Sequence, residues 1–345
     1  MGEGELGSQS AGSHPLTERP MGERRLHGAR DLVGPREGRW SPKILTSQRR
    51  ETFIRAFWVA LIPGAILFLA MQTIGYARAG MIGADSHAYW MAVRFPETWY
   101  TNPPEYRDAF LYSPAFAQAL WPLGQLPWPA FQTVWITGQA GVLAWLLAPL
   151  GWQRGLTLAP FFIAEILLGN VYLFFAGALV VSLGRAPGAL ALPVLTKVAP
   201  SVVGVWFVVR REWRAALWAA GFTALIVAVS AAIAPAEWLA WAQFLSHSAG
   251  QRGGTATLRL AASLGIVIWA ARTGRAWLLA PAMILACPVL GGYGPLAVLA
   301  AIPRLVQFER TERAAKALGT PHEQSRVSTV ARDCTWTRWV SGAPS

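Results

Sequence analysis

The sequence predicts an all-α polytopic membrane protein, and three observations predict it. Of 345 residues, 54% are hydrophobic and only 14% are charged, against about 25% charged in a soluble domain. The apolar residues come in runs that match helical spans of about twenty residues. Those runs are continuously apolar, whereas a transmembrane β-strand alternates apolar and polar residues. A cytosolic enzyme, a disordered chain and an outer-membrane barrel are thereby excluded. No internal repeat points to a solenoid.

Residues 1–50 are rich in Gly, Arg, Glu and Ser. Such a segment buries too little surface to offset its ordering entropy, so a disordered cytoplasmic tail is expected. Residues 309–345 are expected to be a second cytoplasmic tail, mostly disordered, with Glu309 to Leu318 able to extend a helix. Between them, 51–308 forms the transmembrane domain. Its apolar runs are Phe53–Tyr76, Ala109–Leu126, Ala130–Leu150, Gly155–Gly184, Ala186–Val209, Ala215–Ala236, Thr255–Ala271 and Ala276–Pro303. Gly155–Gly184 is long for one span and short for two. Breaks at Gly169–Asn170 and at Pro288–Tyr293 give about ten spans, with both termini on the same side.

The chain carries 30 Lys and Arg against 18 Asp and Glu, a net charge of +12. In a membrane protein that excess sets orientation, so no nucleic-acid partner is expected. With Arg49, Arg50 and Arg55 cytoplasmic, ten spans also put Arg210–Arg214, Arg272, Arg275 and Arg304 inside. The loops 77–108 and 235–254 then lie outside, in a multi-pass plasma-membrane arrangement. Cys287 and Cys334 support neither a disulfide framework nor a metal site. No His, Asp and Glu cluster has metal-ligand spacing, and no Gly-rich phosphate loop is present, so no metal and no cofactor are expected.

The acids within the membrane domain are few. Asp85 stands in Gly83-Ala-Asp-Ser-His-Ala-Tyr-Trp90, just past the outer end of the first span. The residues Ser86–Phe95 suit a short interfacial helix in the first outer loop, anchored by Tyr89 and Trp90. Asp85 is then either its N-cap or a carboxylate held beside apolar rings. The second alternative suits a general base acting on a hydroxyl of a surface or lipid-linked substrate.

Three stretches carry a family resemblance: Asp85-Ser-His-Ala-Tyr-Trp90; then Phe110-Leu-Tyr-Ser-Pro-Ala-Phe116 with Trp121 to Trp128; then Leu168-Gly-Asn170 with Thr196-Lys-Val-Ala-Pro200 and Arg210-Arg-Glu-Trp-Arg214. Their order and spacing over residues 53–308 resemble the family 87 glycosyltransferases of the GT-C superfamily. The resemblance implies a GT-C-like bundle, a polyprenyl-phosphate sugar donor, typically of mannose, and a lipid or glycolipid acceptor in the cell envelope. It also implies an extracytoplasmic site whose first-loop aspartate maps onto Asp85. The chain departs from the family pattern at Gly169-Asn170-Val-Tyr172, where many members have Gly-Gln-x-Asn.

Other candidates surround this base. Lys197 lies about ten residues, or roughly 15 Å, inside its run. Such a lysine faces a cavity or a partner, so it either contacts the donor phosphate or pairs with Glu165. Arg259 either clamps a phosphate with its planar fork or snorkels to the interface. Arg252 is a further cationic candidate in the late outer loop. His87 and His247, both expected outside, can hydrogen-bond the leaving phosphate or stand in solvent. Tyr89 joins the substrate-binding set, while Glu97, Glu105 and Asp108 read as a solvated face balancing Arg94 and Arg107. The expected activity is an inverting hexosyltransferase surrounded by membrane lipids. A transporter or lipid flippase is the rival, and it calls for internal repeats and broken helices at the membrane midplane.

Overall fold

The computed structural model describes residues 42–101, 108–251, 254–287 and 294–317, and all regular elements among them are helical. The chain divides into two units, Met1–Arg50 and Glu51–Ser345. Within the first, the described residues 42–50 are helical.

The helices are α1 (Pro42–Arg78), α2 (Ala84–Arg94), α3 (Pro114–Gly124), α4 (Trp128–Leu147), α5 (Trp152–Leu158), α6 (Ile163–Leu168) and α7 (Tyr172–Gly184). They continue with α8 (Ala191–Lys197), α9 (Val205–Val209), α10 (Trp213–Ile233), α11 (Pro235–Gln251), α12 (Gly254–Thr273), α13 (Leu279–Ala286) and α14 (Ile302–Ala317). Short 3₁₀ turns link several of them.

Among the described residues, three helices are long and apolar enough to cross a membrane: Gln48–Arg78, Trp128–Leu150 and Trp213–Ile233. A bent pair, Trp152–Leu168 and Tyr172–Gly184, turned by 116°, brings the number to four. About ten spans, some short or broken, are expected from run lengths; by length and composition the described residues give three or four, beside many shorter helices. The break expected at Gly169–Asn170 is the bend of that pair. The one expected at Pro288–Tyr293 lies outside the described residues.

The surface of α1 exposes Phe53, Phe57, Leu67 and Met71, and that of α10 exposes Leu217, Trp218, Leu225 and Ile233. Apolar faces of this extent belong against lipid. Inside, Tyr89, Phe131, Phe175, Trp206, Met283 and Leu305 are almost wholly buried in one core. Its centre is α7, α13 and the 3₁₀ segment Gly294–Ala301.

The segment Ala109–Leu126 is not the span its apolarity suggests. Its helix α3 has 11 residues, about 16 Å of length at 1.5 Å per residue, half a bilayer core. Both ends of the segment stay beside α2. At one end the Tyr112 and Tyr89 hydroxyls are 3.0 Å apart. At the other, Arg94 Nε donates to Gly124 O at 2.8 Å and Trp90 Nε1 donates to Leu126 O at 2.9 Å. Phe110, Tyr112 and Phe116 of this run are buried in the core, and Trp121 is exposed.

Losing that crossing shifts the parity of the later helices. The Gly169–Asn170 break, expected at the opposite end from Asp85, sits against it: Gly83 N donates to Leu167 O at 2.6 Å. The chain from Leu147 to Trp152, with Arg154, moves to the far end. There Arg304 Nε donates to Trp145 O at 2.8 Å, and the Arg154 guanidinium lies 6.0 Å from the Trp58 ring. The Arg210–Arg214 linker reaches the same end, where Arg210 pairs with Glu312 of α14 and, at 2.6 Å, with Glu212. The cationic segments therefore gather at one end of the bundle, and Asp85 lies at the other.

A strap formed by α14 closes the cationic end. Glu309, 5% exposed, accepts the Trp277 N–H at 2.9 Å and an Arg313 N–H at 2.9 Å. Glu309→Ala leaves that Trp277 N–H without an acceptor, a loss of about 1–3 kcal/mol. Thermal unfolding of the detergent-solubilised protein is expected several degrees lower in this variant, with Glu309→Gln affected less. An unchanged midpoint in Glu309→Ala contradicts the strap.

Candidate functional site

The site begins with α2. Gly83, at φ 76, precedes the helix in its N-cap position, and no side chain caps it. Asp85 is therefore not the cap. It stands in the first helical turn, where a negative charge complements the helix dipole. Its carboxylate leaves α2 toward the bend between α6 and α7.

That bend presents Asn170. Its Nδ2 donates to Asp85 Oδ2 at 2.7 Å, while its own Oδ1 accepts the Val171 N–H at 2.7 Å. The amide is oriented by its backbone bond, so it offers N–H and not C=O to the carboxylate. Two residues of α4 fix the turn from the other side. Trp135 Nε1 donates to Gly169 O at 2.7 Å, and Gln139 Nε2 donates to Asn170 O. Gly169 sits at φ 75, and a Cβ there would lie 2.6 Å from Ser86 Cβ. Only glycine allows the turn and the close approach of α2 together.

Next along the chain, Tyr172 N donates to Glu165 Oε1 at 2.6 Å. The Tyr172 hydroxyl accepts a hydrogen bond from Lys197 Nζ at 3.0 Å, and the ammonium sits 4.1 Å from the same ring's centroid. The Tyr112 ring lies 5.6 Å from it on another side. Lys197 is the last residue of α8, where its charge also complements the helix dipole. The following Val198 adopts φ 41, a strained conformation for a β-branched residue. Strain of this kind clusters at functional sites. Of the two alternatives for Lys197, the direct pair with Glu165 does not form: no ion pair joins them within 4.0 Å among the described residues.

Burial pushes the Asp85 carboxyl above the ordinary carboxylate range, while the Lys197 charge and the Asn170 hydrogen bond pull it back. The Tyr89 and Tyr112 hydroxyls are pushed up by burial, so both remain neutral hydrogen-bonding groups. The cluster thus holds the Asp85 and Glu165 carboxyls within electrostatic reach of the Lys197 ammonium, bordered by phenol rings.

The other candidates fall in different places. Tyr89 is 1% exposed and its hydroxyl meets Tyr112, so it walls the site from behind. Arg259 and Lys197 both lie within electrostatic reach of Cys287, which puts Arg259 near the cluster. His87 stands about 200° around α2 from Asp85, edge-on to Trp128 at 4.7 Å. Its Nδ1 is 2.6 Å from Asp108 Oδ1, so Asp108 is not part of a freely solvated face. Arg94, expected to be balanced by acids, instead donates to carbonyls at the end of α3. His247 is exposed on α11 and bonds only its own helix, at Gln243 O. Arg252 and Glu105 lie outside the described residues. Among the described residues no group of three or more His, Cys, Asp or Glu converges as a metal site would.

Sequence reasoning missed Asn170, Gln139, Tyr112 and Tyr172 as members of the cluster. A signal for Asn170 was present: a Gly-Asn pair interrupting an otherwise apolar run has to hydrogen-bond something.

Lipid-facing helices around a buried core that carries this polar cluster define an integral membrane protein. The sequence model of glycosyltransferase family 87 matches residues 110–320. The chain belongs to that family and is a glycosyltransferase. Comparisons with curated proteins and with solved structures find no match. Glu165, Asn170, Tyr172 and Lys197 lie within the matched residues, and Asp85 lies just before them.

Asn170→Ala removes a hydrogen bond that favours the ionised form of Asp85. The carboxyl then holds its proton to higher pH. The acid limb of the pH–rate profile is expected to move upward, with turnover preserved best at alkaline pH. An unmoved limb in Asn170→Ala contradicts the role given to this bond.

Proposed function

We propose that the protein is an inverting glycosyltransferase that takes a sugar from a polyprenyl phosphate. The acceptor is a lipid or glycolipid hydroxyl. The observation that carries this reading is the Asp85–Asn170 bond beside the Lys197 ammonium, at the end opposite the cationic cluster. A positive-inside bias assigns the Arg210, Arg304 and α14 end to the cytoplasm. Asp85 then faces the exterior of the plasma membrane, with α2 lying in the interface and the carboxy terminus inside.

The chemistry follows from the two charges. Asp85 accepts the proton of the acceptor hydroxyl as that oxygen bonds to the anomeric carbon. The bond from the anomeric carbon to the phosphate oxygen breaks, and its electron pair leaves with the lipid phosphate. Attack opposite the leaving group inverts the configuration, so a β-linked donor gives an α-glycoside. Lys197 and Arg259 offset the charge that grows on the phosphate. The donor brings its phosphate on a lipid, which fits a chain with no nucleotide-binding fold among its described residues. The family resemblance favours mannose. A transporter is supported less, because the family that the chain matches is one of glycosyltransferases.

Purified protein incubated with polyprenyl-phosphate mannose, glucose or arabinose tests the reading by donor consumption. Asp85→Asn, equally expressed and folded, is expected to lose about 10²- to 10⁴-fold in turnover, the usual scale for a general base. Wild-type turnover in Asp85→Asn ends the assignment.

A further inference from the structure

Glu165 is the buried acid that this chemistry leaves unused. It is 1% exposed, in the first turn of α6. A buried carboxylate is costly unless it is bonded, yet only one of its oxygens is satisfied by the Tyr172 N–H. Oε2 has no hydrogen-bond partner among the described residues. It faces Gly294, where a Cβ would come within 3.0 Å of it.

The same residue holds the bend at several points. Its carbonyl accepts the N–H groups of Gly169 at 2.9 Å and Asn170 at 3.3 Å. Its carboxylate accepts the Tyr172 N–H at 2.6 Å. The turn it holds carries two side chains outward in different directions. Asn170 goes to Asp85, and Tyr172 goes to Lys197. Base and cation come from α2 and α8, which are far apart in sequence. The turn at 169–172 bonds to the side chains of both.

We propose that Glu165 is a positioning residue that sets base and cation in one frame by holding the 169–172 turn through the Tyr172 N–H. The inference rests on the transferase reading above and adds a residue to it. Glu165 itself touches no substrate. Asp85 is faced by Asn170 of the turn, by Lys197 of α8, by Tyr89 of its own helix and by Tyr112 before α3, and more remotely by Glu165.

The test is a double-mutant cycle in the purified full chain, read by kcat and by its pH dependence with the polyprenyl-phosphate donor. Glu165→Ala frees the Tyr172 N–H and loosens the turn. Its kcat is expected to fall about 10- to 100-fold, the scale of a misplacement near 1 Å. Its acid limb is expected to move upward, because Asn170 no longer meets Asp85 squarely. Adding Asn170→Ala to Glu165→Ala should move that limb no further than Asn170→Ala alone, since residues acting through one contact are not additive. Glu165→Gln, which keeps an oxygen for Tyr172, should recover most of what Glu165→Ala loses. Should Glu165→Ala fail to accumulate, Glu165→Asp carries the same test, because its shorter arm cannot reach Tyr172 N without dragging the turn.

An unmoved limb, additive shifts in the double variant, or Glu165→Gln no better than Glu165→Ala each overturns the proposal. The two levels separate cleanly. An active Asp85→Asn variant sinks the base itself, whereas an inactive one beside a normal Glu165→Ala variant sinks only the role of Glu165.

Discussion

One hydrogen bond, from the Asn170 amide to the Asp85 carboxylate, ties the two halves of the polar site together. It joins α2 to a span that breaks at the same point. A charge-assisted bond of this type is stronger than a neutral one, and more so where water is scarce. The fold goes to some length to permit it. Gly169 adopts a left-handed conformation, Ser86 packs against it, Trp135 holds its carbonyl, and Gln139 holds that of Asn170. Lys197 then completes the electrostatics from α8, stacked on Tyr172 instead of paired to an acid. A carboxylate kept basic and a cation kept unspent by ion pairing are what a proton-accepting transfer reaction requires.

The bundle separates its charges along its length. At the far end Arg210 of the linker before α10 meets Glu312, while on α14 Arg304 reaches the Trp145 carbonyl of α4 and Glu309 holds Arg313 and the Trp277 N–H. At the near end lie Asp85, bonded to Asn170, and Lys197, bonded to Tyr172.

Much of this was legible in the residues. Continuous apolar runs gave the helical class, and the shortage of acids singled out Asp85. The Gly169–Asn170 pair marked the bend correctly because a polar, flexible dipeptide interrupts a run that otherwise has no reason to stop. What hydropathy hid was destination. The run Ala109–Leu126 is apolar enough for lipid, but its Phe110, Tyr112 and Phe116 serve a protein interior, where Tyr89 meets Phe116 and Trp135 edge-on. Counting it as a crossing put the bend at the opposite end from Asp85, which it adjoins. The His87–Asp108 pair and the hold of Glu165 on Tyr172 depend on tertiary meetings that no spacing rule encodes. Tyr89 was noticed as an interfacial anchor, and its burial follows from sharing the inner face of α2 with Asp85.

The central claim is that the Asp85 end and the cationic end lie on opposite sides of the membrane, with the carboxylate outside. Its most direct test is labelling of single cysteines by a membrane-impermeant maleimide in intact cells, in a chain freed of Cys287 and Cys334. A cysteine in place of Ala79, in the exposed turn before α2, should react at once, while one in place of Lys316 on α14 should react only after permeabilisation. The reverse pattern, or labelling of both from the same side, would contradict the account.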